Sequence, residues 1–91
     1  MSLTSRSAPV ITIIDDDHSV LVALEFLVTS FGFEARGFSS AEEFLQSSSL
    51  DETACLISDI HMPSISGIEL QRVLRSQGRN IPTILITAFS N

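Results

Sequence analysis

Short apolar runs alternate along the chain with segments whose apolar residues recur every three or four positions. The alternation predicts strand, helix, strand, helix, strand, helix, strand. The run Val10–Ile14 is nearly continuous, as expected of a strand covered on both faces. Residues 19–31 read as a helix with Val20, Leu24, Leu27 and Phe31 as its inner stripe, Val22 and Phe26 pointing away, and Gly32 as its stop. Residues 33–38 form a weaker, edge-like strand. Residues 39–45 start a second helix, with Ser39 or Ser40 as N-cap, Glu42 or Glu43 closing a capping box, and Ala41, Phe44 and Leu45 facing inward. A polar connection over residues 46–53 leads to a buried strand, residues 54–59, that ends on Asp59. After a loop, Ser66 caps a third helix with Glu69 three residues on. Leu70, Val73 and Leu74 face inward there, and Arg72, Arg75 and Arg79 face solvent. Residues 83–87 are the last strand.

Such alternation implies an α/β fold, a parallel sheet with helices on both faces and right-handed crossovers. No internal repeat, linker or low-complexity segment interrupts it beyond the serines at 47–49. In a parallel sheet the carboxyl ends of all strands share one edge, where ligands bind. Asp15, Asp16, Asp59 and Thr87 all follow or close strands, so they are expected to converge there. Two carboxylates ~4 Å apart repel by ~4 kcal/mol at an effective dielectric near 20. Such a cluster raises a pKa or takes a cation. Few carboxylates with room for water suit Mg²⁺, and an aspartate beside that ion can attack phosphorus. Taken singly, "DDD" reads as a solvated turn or helix start, Asp59 as a loop starter before Pro63, and Thr87 as a plain strand end. The case rests on their meeting at one edge.

Composition narrows the function classes. Ninety-one residues make one small domain. A hydrophobic fraction of 44% and a charged fraction of 18% suit a globular chain. The net charge of −6 argues against direct nucleic-acid binding by this segment, which needs a basic face. The single cysteine, Cys55, forms no internal disulfide and reads as a buried, inert thiol. No apolar run approaches the ~18 residues of a membrane span. Residues 1–9 read as a disordered polar leader without a signal-peptide core, which fits a cytoplasmic home.

The stretches "ITIIDDDHSV", "FSSAEEFL", "LISDIHMPSISGIELQRVLR" and "IPTILITA" occur in this order over most of the chain. In them the chain resembles the receiver domain of two-component response regulators, above all in the D-x-x-M-P-x-x-S-G loop from Asp59 to Gly67. The resemblance implies a flavodoxin-like doubly wound sheet. It makes Asp59 the phosphoacceptor and Asp15 and Asp16 the Mg²⁺-binding pair, with Asp16 the direct ligand. His61 contributes its backbone carbonyl to the metal site, and Thr87 is the switch hydroxyl that meets the phosphoryl group. Asp17 falls outside the pair as a helix N-terminal residue. His18 is a surface residue, and Met62 and Pro63 shape the loop. His61 and Phe89 flank the site at positions expected to tune phosphoryl loss.

The implied partner is a sensor histidine kinase, docking on the first helix around Leu21, Val22 and Glu25, with a small phosphodonor such as acetyl phosphate as a substitute. The implied output is transcriptional and lies outside this chain. The family pattern continues through two more helices, a fifth strand and a lysine. Residues 10–91 therefore read as an incomplete receiver, expected to self-associate or exchange elements through an uncovered sheet edge and the first helix. All five basic residues are arginine, so no catalytic Lys is present and phosphorylation is expected to be weak or short-lived. A receiver-like interaction module without phosphorylation is the second reading. An aspartate-dependent phosphohydrolase is the third, and it lacks its second acid because His61 stands two residues after Asp59.

Overall fold

The computed structural model describes residues 8–87. Its elements are β1 (Val10–Ile14), α1 (His18–Ser30), β2 (Glu34–Phe38), α2 (Ala41–Leu45), β3 (Thr53–Asp59), α3 (Gly67–Ser76) and β4 (Thr83–Ile86), with a 3₁₀ turn at Ser48–Asp51 inside the polar connection. All strand pairs are parallel, in the order β2-β1-β3-β4. The expected leader lies mostly outside the described residues; Ala8 and Pro9 are exposed, and the Pro9 carbonyl accepts from the Glu34 amide at 3.0 Å.

Successive side chains of a strand point to opposite faces, so the central strand needs apolar residues on both. Ile13 and Ile14 are each 0% exposed for this reason. Ile14 and Leu56 pack under α2 and α3 with Ala41, Phe44, Leu70 and Leu74. Ile13 packs on the other face with Leu21 and Val28 of α1. Helices therefore cover both faces, as the alternation predicted.

Local chemistry fixes the helix ends. The Ser66 hydroxyl accepts from the Glu69 amide and the Glu69 carboxylate accepts from the Ser66 amide, both at 3.1 Å, a complete capping box. At α2 the N-cap is Ser40, but Glu43 reaches the amide and hydroxyl of Ser39 instead. Gly32, at φ +90°, closes α1 in the left-handed conformation that glycine adopts without strain. Arg79 lies beyond α3 and pairs with Asp51 at 2.7 Å.

Three expectations need correction. The inner face of α1 is Leu21 and Val28, with Leu24 packed against them, whereas Leu27 and Phe31 are 50% and 72% exposed. This helix is apolar around most of its circumference, so periodicity alone offers more than one stripe. The burial of Leu21 also removes it from the expected docking surface; Val22 and Phe26 are exposed as expected. Phe31→Ser is accordingly expected to change stability by no more than about 0.5 kcal/mol in thermal denaturation; a loss of several kcal/mol would restore the other stripe. Cys55 is half-buried rather than buried. It shares the α1 face with Ile11 and Ile57, and α1 packs over β1 and β2, leaving β3 partly open. Among the described residues no helix is long and apolar enough to cross a membrane.

Candidate functional site

Register brings the aspartates together. Ile14 of β1 stands opposite Ser58 of β3, so one step further along both strands come Asp15 and Asp59. Asp59 in turn pairs with Ile86 of β4. The ladders continue past the strand ends through the Asp15 amide to the Phe38 carbonyl, 3.1 Å, and the Ile60 amide to the Ile86 carbonyl, 2.8 Å. One carboxylate oxygen from each of Asp15, Asp16 and Asp59 lies within 4.8 Å of the others. This is the convergence expected from strand ends 44 positions apart.

The three differ in environment. Asp15 and Asp59 are 1% and 7% exposed, and Asp16 faces solvent. The Asp17 amide donates to Asp15 Oδ1 at 2.8 Å, and the His61 amide donates to Asp59 Oδ1 at 3.2 Å. Asp15 Oδ2 is buried without a hydrogen-bond partner among the described residues. Burial pushes the Asp15 carboxyl above the usual carboxylate range. The Asp17 amide opposes that shift, and the charges of Asp59, Asp16 and Asp17 add to it. At this spacing the Asp15–Asp59 pair repels by about 3–4 kcal/mol at an effective dielectric near 20.

An orphaned buried carboxylate oxygen among two more carboxylates fits a hard divalent cation. Two buried ligands and one at the water surface suit an ion that keeps part of its hydration. The donor set therefore fits Mg²⁺, with Asp15, Asp16 and Asp59 as the side chains that would hold it.

The flanking residues are placed unevenly. Thr87 follows Ile86 directly, at the same sheet edge, and is exposed. His61 is exposed and holds Asp59 through its backbone amide. Phe89 lies outside the described residues. Ser64 adopts φ 68°, an uncommon conformation for a residue with a Cβ, in the loop between β3 and α3. A groove bordered by Leu74, Arg75 and Pro82 lies at the other end of the sheet, away from the acidic cluster.

Two contacts escaped the sequence reading. A Cβ built on Gly67 would stand 2.6 Å from the Asp59 carbonyl oxygen and 3.2 Å from Ile60 Cα. A glycine as the first residue of a helix, where propensity disfavours it, was the available signal. The second is the bond from the Asp17 amide to Asp15, of which three consecutive aspartates gave no sign; Asp17 itself caps α1, in the helix N-terminal place expected of it.

Known proteins share the sequence and the fold of this chain. Residues 11–91 match the family model described as the response regulator receiver domain. The chain is 46% identical over 87 residues to the response regulator protein TodT of Pseudomonas putida, covering 96% of this chain and 38% of that protein. It is 35% identical over 79 residues to the transcriptional regulatory protein FixJ of Azorhizobium caulinodans, covering 87% and 37%. The chain thus spans less than two fifths of these relatives. The solved structure of the response regulator StyR superposes with a TM-score of 0.84 at 39% identity, covering 93% of this chain and 43% of that one.

Proposed function

The chain belongs to the response regulator receiver family, and from that premise we propose that it is a phosphorylatable switch whose Asp59 accepts a phosphoryl group from a sensor histidine kinase. The convergence of Asp15, Asp16 and Asp59, with one buried Asp15 oxygen left unpartnered, carries this reading. Asp15, Asp16, Asp59 and the backbone carbonyl of His61 hold Mg²⁺ in it. When bound, the ion offsets charge on the attacking carboxylate and on the phosphoryl oxygens.

The chain's own residues supply position. The His61 amide holds Asp59 Oδ1, and the second oxygen has no protein hydrogen bond among the described residues. That oxygen attacks phosphorus. The bond from phosphorus to the donor's imidazole nitrogen breaks, the nitrogen keeps the electron pair, and an acyl phosphate forms on Asp59. Thr87 is the switch hydroxyl that hydrogen-bonds the phosphoryl group, and His61 and Phe89 tune its loss. The added charge biases a downstream, transcriptional output. Turnover of an external substrate forms no part of this role. The kinase meets α1 around exposed Val22 and half-buried Glu25, in the cytoplasm.

The test is incubation with Mg²⁺ and acetyl phosphate, followed by peptide mass mapping. Modification confined to Asp59 and dependent on Mg²⁺ is the expected result. Modification elsewhere, or sustained hydrolysis of phosphate esters, would contradict it.

A further inference from the structure

We infer that Asp17, the third of the consecutive aspartates, is a positioning residue that aims Asp15 into the metal site. This rests on the reading of Asp15, Asp16 and Asp59 as Mg²⁺ ligands. Asp17 does not join their cluster. Its side chain is committed to α1 instead, where Oδ1 accepts from the amides of Ser19 at 2.9 Å and Val20 at 3.4 Å. Its carbonyl accepts from the Leu21 amide at 3.0 Å, the first bond of the helix. Leu21 is itself buried against Ile13 of β1. Asp17 is thus fastened to a helix that is fastened to the sheet.

One donor of Asp17 remains, its backbone N–H, and it points at Asp15 Oδ1 at 2.8 Å. A hydrogen bond to an ionised carboxylate is short and strong, and it occupies one of the two Asp15 oxygens. The carboxylate cannot turn freely once that oxygen is held. The other oxygen, Oδ2, is the buried one without a partner. The cap on α1 therefore sets which Asp15 oxygen faces the cluster, through a chain of contacts from helix to N–H to carboxylate. Groups that orient metal ligands in this way typically change metal affinity by roughly 10–100-fold when removed.

Two simpler roles compete. Asp17 could act only as a helix cap, or only as a nearby negative charge. Variants of the 91-residue chain separate them. Asp17→Asn keeps a side-chain cap and removes the charge. Asp17→Ala removes both, and Asp17→Gly removes both at little cost to the helix start, so it answers the question should the alanine variant fail to fold. Mg²⁺ titration followed by amide NMR gives the affinities. Hydrogen exchange of the residue 17 amide, measured without metal, reads the contact itself.

The asparagine variant is expected to stay close to the parent in both measurements. The alanine and glycine variants are expected to bind Mg²⁺ roughly 10-fold or more weakly and to lose protection at the residue 17 amide. Parent-like affinity in folded alanine or glycine variants would overturn the inference and leave the site intact. Equal losses in the asparagine and alanine variants would also overturn it, in favour of charge alone. A parent chain that takes up no Mg²⁺ would remove the site reading and this inference together.

Discussion

Gly67→Ala is expected to destabilise the chain by about 1–3 kcal/mol, the usual cost of overpacking, and to weaken Mg²⁺ binding. Helix propensity alone predicts the opposite sign, because alanine is favoured over glycine by ~1 kcal/mol inside a helix. Gly67 is not one of the glycines at positive φ, so alanine carries no conformational strain there. Space decides the outcome. The added Cβ would lie 2.6 Å from the Asp59 carbonyl oxygen, 3.0 Å from Leu85 Cδ2 and 3.2 Å from Ile60 Cα. A leucine methyl can turn aside, but backbone atoms move only with the strand end that carries Asp59. The same carbonyl already accepts from the Ser58 hydroxyl at 3.1 Å, and the Gly67 amide is tied to the Ile60 carbonyl at 3.1 Å. Relief therefore shifts the backbone of Asp59. Thermal denaturation should fall by about 4–8 °C per kcal/mol lost in a domain of this size, and a Mg²⁺ titration should weaken in parallel. A more stable alanine variant would show that the close approach is not a constraint.

Asp15→Asn is expected to stabilise the metal-free chain by about 1–3 kcal/mol, the range for relieving an unsatisfied buried group, while weakening Mg²⁺ binding by at least about 100-fold. The carboxylate is buried with Oδ2 unpartnered. Burial foremost raises its pKa, and the neighbouring aspartates add to the shift. The direction fixes the pH dependence. A folded-state value above the ordinary 3.8 means that the folded chain binds the proton more tightly than the unfolded chain does. Stability from this group is full below that ordinary value and is lost as pH rises through the folded-state value. The asparagine variant should therefore melt higher than the parent at pH 7 and gain little over it at pH 3. Added Mg²⁺ should raise the melting temperature of the parent, by about 2.7 kcal/mol of stabilisation at 100 times its Kd, and leave the variant unmoved. An asparagine variant less stable than the parent at pH 7 would mean that the Asp15 charge is already compensated.

These two residues mark the boundary of what the sequence could say. The convergence of Asp15 and Asp59 was legible because continuous apolar runs imply a parallel sheet, and such a sheet gathers its strand ends at one edge. Ser66 and Glu69 were legible as a cap because three-residue spacing is a local rule. The buried face of α1 was not legible, since Leu21, Leu24, Leu27, Val28 and Phe31 leave periodicity little to choose between. The half-exposure of Cys55 depends on which strands a helix happens to cover. The closeness of Gly67 to Asp59 is a tertiary contact, and the Asp17–Asp15 bond uses a backbone N–H that every residue but proline carries. Strand-end position already placed Thr87 at the shared edge, whereas the tuning place expected of Phe89 came from family resemblance alone.

Titration of the chain with Mg²⁺, followed residue by residue through its backbone amides, bears most directly on the meeting of three carboxylates around one ion. The expected result is a joint shift of Asp15, Asp16, Asp59 and His61 that saturates at one ion per chain. Silence at these four amides, or a weak response spread over exposed acids such as Asp51 and Glu52, would contradict it.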